Sequence, residues 1–239
     1  MNKQHPPTTV TIFYPPPTTV TIFYPATMKF VGIVGRKATG KNDVVQFLHE
    51  YFINVKTLSF SEPIKQMVKI GYHFSDEQLE KGKDIKDLVW NITPRNAMRS
   101  IASTMTALDE IHFVDLMCQR IRHTDTTGVE YMCISDIRFH NEADLVKNLG
   151  GLTIHVSNVK LHVDDPKFVH LDEHVSEVYS DEIKCDYYIV NDGNINNLKI
   201  QCDKIFEDIN EKFNEKMSQS LYDQLQYVNE VNEEYRVRD

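Results

Sequence analysis

Along the chain, unbroken apolar runs alternate with stretches in which apolar residues recur every three or four positions. Residues 29–34 form the first mostly apolar run, suited to a buried strand. Val44, Val45, Leu48, Tyr51 and Phe52 then fall on one face of a helix. Residues 55–60 alternate and carry β-branched side chains, which predicts a second strand, and Ser61-Glu62-Pro63 opens a helix ending near Gly71. Ser75 and Gln78 have capping-box spacing and start a polar, exposed helix. Thr93-Pro94 starts another, with Ala97, Met98, Ile101, Met105 and Leu108 as its buried side. Residues 131–136 form a third strand, followed by a helix to Gly150, and residues 152–156 a fourth. The polar stretch 157–172 is long enough to be a mobile cover. Residues 187–191 form a fifth strand, and Leu198, Ile200, Cys202, Ile205, Phe206 and Ile209 mark a closing helix. Strands alternating with helices predict an α/β fold: a central, mostly parallel five-stranded sheet flanked by helices in three layers.

Two segments stand outside this rhythm. Residues 6–15 recur unchanged at 16–25, strand-prone but bracketed by prolines and too short for a solenoid unit. Residues 1–27 are therefore expected to be an unstructured or loosely attached extension, with the functional domain spanning 28–215 and an acidic tail at 216–239. A hydrophobic content of 41% in 239 residues is enough for one core. The net charge of -9 argues against a nucleic-acid surface as the protein's main business. Widely spaced cysteines, the lack of a long apolar run and the lack of a signal-peptide layout predict a soluble cytoplasmic protein with no membrane partner.

Between the first strand and first helix lies Gly35-Arg-Lys-Ala-Thr-Gly40-Lys41, which has the spacing of a phosphate-binding loop. Glycines let backbone N–H groups approach phosphate oxygens, and the helix that follows favours anions. The candidate nucleotide-binding residues are Gly35, Lys37, Thr39, Gly40, Lys41, Asn42 and Asp43, with Asn42 standing where a Mg²⁺-binding hydroxyl is usual. Arg95 and Arg99 stand one turn apart near a helix N-terminus, where they oppose the dipole and would gain from an anion. Asp136 ends a parallel strand, the natural position of a Mg²⁺ partner, and Arg138 beside it can grip an oxyanion with a planar fork. His170 and His174 lack a third ligand, so no zinc site is expected.

Residues 35–41, Phe60-Ser-Glu-Pro63-Ile-Lys65, Thr93-Pro94-Arg95, Asp136-Ile-Arg138-Phe-His-Asn141-Glu142, His174-Val-Ser176-Glu177 and Asn191-Asp-Gly193 together resemble the deoxynucleoside monophosphate kinases of phages and large DNA viruses. These are P-loop kinases related to animal phosphomevalonate kinases, and the resemblance covers residues 28–210. It implies a P-loop NTPase-type fold, ATP as phosphoryl donor, Mg²⁺ held by Asp136, and a nucleoside monophosphate acceptor. Lys41, Arg95, Arg138 and Asp136 would carry catalysis; Lys65, Arg95, Arg99, Arg138 and Glu142 would bind the acceptor. A homodimer is a further expectation, since related kinases often dimerise. The sequence departs from the family at Ile101-Ala102-Ser103 and at Asn158, where an arginine is frequent, leaving Lys160 or Lys167 as the lid's point charges. The alternatives are a kinase for another phosphorylated small molecule, such as phosphomevalonate, and a nucleotide-binding module without an acceptor.

Overall fold

The computed structural model describes residues 7–13, 19–25, 27–159 and 175–236. Its elements, in chain order, are β1 (Pro7–Phe13), β2 (Thr19–Pro25), β3 (Lys29–Val34), α1 (Lys41–Tyr51), β4 (Val55–Leu58), α2 (Ser61–Tyr72), α3 (Asp76–Glu80), α4 (Pro94–Leu108), α5 (His112–His123), β5 (Tyr131–Ile137), α6 (His140–Asn148), β6 (Leu152–Asn158), α7 (Val175–Glu182), β7 (Tyr187–Asn191) and α8 (Ile195–Arg236). Strands β3 to β7 form one parallel sheet in the order β4-β5-β3-β6-β7. The chain fills one side of β3 first and then crosses to the other. The carboxyl end of β3 is therefore the switch point at which an open α/β sheet leaves a crevice.

Both faces of the sheet are covered, which is why its central strands read as continuous apolar runs. On one face Phe30, Val34, Met132, Ile134 and Ile137 meet α5 and α6 through Met117, Ile121, Leu145 and Val146. On the other, Val31, Ile33, Cys133 and Ile154 meet α1 and α8 through Val44, Leu48, Phe206 and Ile209. A separate small cluster of Val68, Phe74, Leu79 and Ala97 holds α2, α3 and α4 together. Ser75 and Gln78 cap α3 reciprocally, as their spacing predicts. Leu108, expected on the buried side of α4, is 80% exposed, because that cluster reaches only the first half of the helix. No described helix is long and apolar enough to cross a membrane.

The pairing of β3 with β5 is interrupted. Gly32 pairs with Ile134 but Val34 pairs with Ile137, so Ser135 and Asp136 both stand opposite Ile33. This bulge puts Ile134 and Ile137, three residues apart, into the same core. A side chain at Gly32 would have no room: its Cβ would lie 2.5 Å from Ile137 Cδ1.

The repeated segment differs from its sequence expectation. Its two copies pair as an antiparallel ribbon, β1 with β2, in a register that sets Val10 opposite Ile22 and Thr11 opposite Thr21. Strand-prone copies only ten residues apart can satisfy each other's backbone groups by folding back, and Pro7 and Pro25 stand opposite each other at one end of the ribbon. The ribbon is also anchored. Tyr24 is buried, meets Phe30 edge-on at 4.9 Å and donates its hydroxyl to Leu149 O at 3.1 Å. The closing helix likewise runs on, to Arg236, through the stretch expected to be a tail. α5 has no counterpart among the expected elements, although Val114, Met117, Cys118 and Ile121 are buried at helical spacing.

Candidate active site

At the end of β3 the chain enters residues 35–41 with Gly35 at φ 144 and Gly40 at φ 102, conformations that favour glycine. Neither position could accept a side chain, since a Cβ would lie 2.3 Å from Val156 O at Gly35 and 2.4 Å from Asn191 Nδ2 at Gly40. The loop is fastened to the end of β7, Asn191 Nδ2 donating to Thr39 O at 3.0 Å, and braced within itself, Thr39 Oγ1 donating to Arg36 O at 3.0 Å. Lys41 is buried, with its ammonium folded onto the carbonyls of Gly35, at 2.6 Å, and Arg36. Gly40 occupies the N-cap of α1 and supplies no side-chain cap. The first turn of α1 thus presents its N–H groups and the positive end of its dipole at the loop, with Asn42 and Asp43 exposed beside it.

The other wall is the start of α4. Thr93 Oγ1 accepts from Asn96 N at 3.1 Å and Pro94 takes the first turn, as the sequence predicts. Arg95 grips Asp84 with its fork, Nη2 donating to Oδ2 at 3.0 Å and Nε to Oδ1. Lys37 of the loop donates to the same Asp84 Oδ2 at 3.2 Å. The Arg95 hydrogen bond, with help from Lys37, holds the Asp84 carboxyl well below the usual carboxylate range. Lys65 pairs with Glu80 at 2.5 Å, and Lys83 reaches the same carboxylate at 3.7 Å. Burial lowers the Lys83 pKa, and the positive charges of Lys65 and Arg95 add to that lowering while Glu80 opposes it. Arg99, one turn beyond Arg95, is half-buried and makes no hydrogen bond or ion pair among the described residues.

Asp136 has a structural task that its sequence position does not reveal. Oδ1 accepts from Phe60 N at 2.7 Å, while Oδ2 accepts from Ser59 Oγ at 2.7 Å and Ser61 N at 3.0 Å. Its carboxylate is the missing cap of α2, whose own N-cap residue, Phe60, has none to offer. Arg120 of α5 donates Nη1 to Ser59 O, and burial lowers its pKa against the opposing pull of Glu62 and Asp136. Glu142, expected on the acceptor side, is buried and reaches back along its own turn. Its Oε2 accepts from Arg138 N at 2.7 Å and Phe139 N at 3.2 Å, which fixes the turn that carries Arg138. Burial pushes its carboxyl up to about 8. Arg138 itself is half-buried.

Three of the residues in this arrangement, Asp84, Lys83 and Arg120, carry no sequence motif. Nor does the pair formed by Arg36 of the loop and Asp181 of α7 at 2.7 Å, with His155 Nε2 3.5 Å from the same carboxylate. Lys160, Lys167, His170 and His174 lie outside the described residues.

The profile of the deoxynucleotide monophosphate kinase family matches residues 78–202, just over half of the chain. A protein of Acanthamoeba polyphaga mimivirus named "Putative deoxynucleotide monophosphate kinase" is 30% identical over 185 residues, 70% of this chain and 91% of that protein. Among solved structures, a dephospho-CoA kinase from Campylobacter jejuni aligns at 12% identity and a TM-score of 0.42, over 77% of this chain and 98% of that one. A Thermus thermophilus protein aligns at 12% identity and 0.41, over 75% and 97%. The match covers α4, the β5 end and β7, and the relative extends the likeness to most of its own length. The chain belongs to the deoxynucleotide monophosphate kinase family.

Proposed function

We propose that the protein transfers the γ-phosphoryl group of ATP to a deoxynucleoside 5′-monophosphate, releasing ADP and the diphosphate. An oxygen of the acceptor phosphate forms the new bond to the γ-phosphorus as the bond to the β,γ-bridging oxygen breaks. The acceptor phosphate, with a second pKa of about 6, is already anionic at neutral pH, so no general base is needed. What remains is alignment and charge neutralisation.

One observation carries this reading: Lys37 of the phosphate loop and Arg95 of α4 meet on one carboxylate oxygen, so donor and acceptor cations face a common volume. In this reading the backbone of residues 35–41 and Lys41 hold the donor phosphates, and Lys41 exchanges its two loop carbonyls for them. Arg95, Arg138 and Arg99 hold the acceptor phosphate, and α2 to α4 with Lys65 frame its base. Arginine suits that task because its fork can take two phosphate oxygens at once.

The residues fit a Mg²⁺ ion bound mainly by phosphate oxygens and water. Asp136 Oδ1 accepts one hydrogen bond and keeps a lone pair for a metal-bound water, which is all that such an ion asks of the protein. Bound there, the ion would neutralise charge on the β- and γ-oxygens.

The test is a coupled ADP-release assay over a panel of deoxynucleoside and ribonucleoside monophosphates, phosphomevalonate and no acceptor, with ATP and GTP as donors. Turnover dependent on a deoxynucleoside monophosphate and ATP is expected. Turnover with phosphomevalonate alone, or ATP binding without acceptor-dependent turnover, would refute it.

A further inference from the structure

We propose that Asp84 is the resident anion of the acceptor site, its carboxylate occupying the seat between Lys37 and Arg95 that the acceptor phosphate takes by displacing it. The inference rests on the reading of Arg95 as a ligand of the acceptor phosphate.

The contact has the shape of the recognition it stands in for. Two oxygens of a planar anion sit in the Arg95 fork, and one of them also takes Lys37. A phosphate offers the same pair of oxygens with more charge, so the same donors serve it without rearrangement.

The two partners are mounted unequally. The Arg95 side chain is only 20% exposed, and its backbone is docked by Arg95 N donating to Lys83 O at 2.9 Å. The Asp84 side chain is 63% exposed, so the carboxylate is the part that can turn out into water. The turn that carries it is held by other bonds. Ile85 N donates to Gly82 O at 2.9 Å, Asp87 N to Ile92 O at 3.0 Å, and Asp87 Oδ1 accepts from Val89 N and Trp90 N. Asp84 can leave Arg95 without unfolding its own loop.

The charge balance gives the exchange a purpose. Lys37, Lys65, Lys83 and Arg95 would form a seat open to any small anion, and Asp84 and Glu80 reduce that pull. An anion with nothing but charge must then compete with a tethered carboxylate, whereas a nucleotide brings base contacts that tip the exchange. The competitor weakens both by the same factor, but only the nucleotide, with its base contacts, keeps enough affinity to fill the seat.

The experiment measures inorganic phosphate binding by calorimetry to the full chain, to Asp84→Asn, to Asp84→Ser and to the double variant Asp84→Asn with Arg95→Ala. Losing an exposed competitor of this kind should tighten phosphate by about threefold to tenfold in both single variants. The double variant should lose the gain, which separates this seat from the donor loop, and the acceptor KM should fall in the single variants. Melting temperatures without phosphate check folding. A change below about twofold, or a gain that survives loss of Arg95, overturns the proposal, as does a rise in acceptor KM, which would make Asp84 a positioning residue for Arg95. Because the isotherm needs no turnover, the two readings fail separately. Tighter phosphate without nucleotide turnover removes only the acceptor's identity, and nucleotide turnover with unchanged phosphate affinity removes only the resident anion.

Discussion

Replacing Asp136 by asparagine separates a cap from a reaction partner. The variant keeps shape and one carbonyl oxygen, which can still take Phe60 N as a neutral bond in place of a charge-assisted one. The amide nitrogen then faces Ser61 N–H, donor against donor, where 3.0 Å of hydrogen bond stood before; Ser59 Oγ can turn its proton away and accept. A charge-assisted bond contributes about 1.5–3 kcal/mol against about 0.5–1.5 for a neutral one, so the two changes come to about 2–3 kcal/mol at this half-buried site. For a domain of this size that is a fall in Tm of about 5–10 °C. Circular dichroism melts read the cap, and kinetics on the folded variant read any further role. A Tm within about 2 °C of wild type with turnover lost would show that the hydrogen bonds to α2 contribute little and that the carboxylate serves the reaction alone.

Arg138→Lys keeps charge but loses the fork, and should raise the acceptor KM more than the ATP KM; steady-state kinetics giving equal effects would move Arg138 to the donor side. Deleting residues 1–27 or making Tyr24→Ala removes a buried ring and its hydrogen bond, and should cost about 3 kcal/mol in urea unfolding while leaving turnover near wild type at low temperature. Unchanged urea midpoints would mean that the ribbon is only loosely docked. Glu142 carries a pH signature. Its folded pKa of about 8 lies above the ordinary glutamate value of 4.5, so the folded chain binds the extra proton between them. Its stabilising contribution is complete below the lower value and is lost as pH rises through the upper one. Urea midpoints for wild type should therefore fall more between about pH 5 and pH 8.5 than those for Glu142→Gln, and parallel profiles would show that the group is ionised throughout.

What was legible in the sequence has its partners close by. The capping box of α3 spans four residues and the cap of α4 joins Thr93 to Asn96, so composition and spacing suffice. Buried parallel strands declare themselves as apolar runs, and their alternation with helices is enough to predict a parallel sheet, though not its order β4-β5-β3-β6-β7. Asp136 shows the opposite case. Its partners Ser59, Phe60 and Ser61 precede it by 77, 76 and 75 residues, and no local pattern announces that meeting. Asp84 is similar: Lys37 is 47 residues before it, in a loop whose own motif draws attention elsewhere. The repeat was misleading because proline-bracketed strands look unpartnered until each copy is seen to be the other's partner. Leu108 has the right helical phase but lies beyond the end of the cluster that would cover it.

The bulge in β5 makes chain length, rather than side-chain identity, a determinant of this edge. Deleting Ser135 would restore unbroken pairing with β3, setting Asp136 opposite Ile33 and leaving Ile137 opposite Val34. Ile134 and Ile137 would then share their core face by ordinary alternation, and every apolar residue of the strand would keep its place. Asp136, now next after Ile134, would be drawn back by one residue along β4 and away from Ser59, Phe60 and Ser61, the backbone it caps. A one-residue deletion would thus yield a more regular sheet and a broken site. The extra residue is kept against the interest of the strand that contains it.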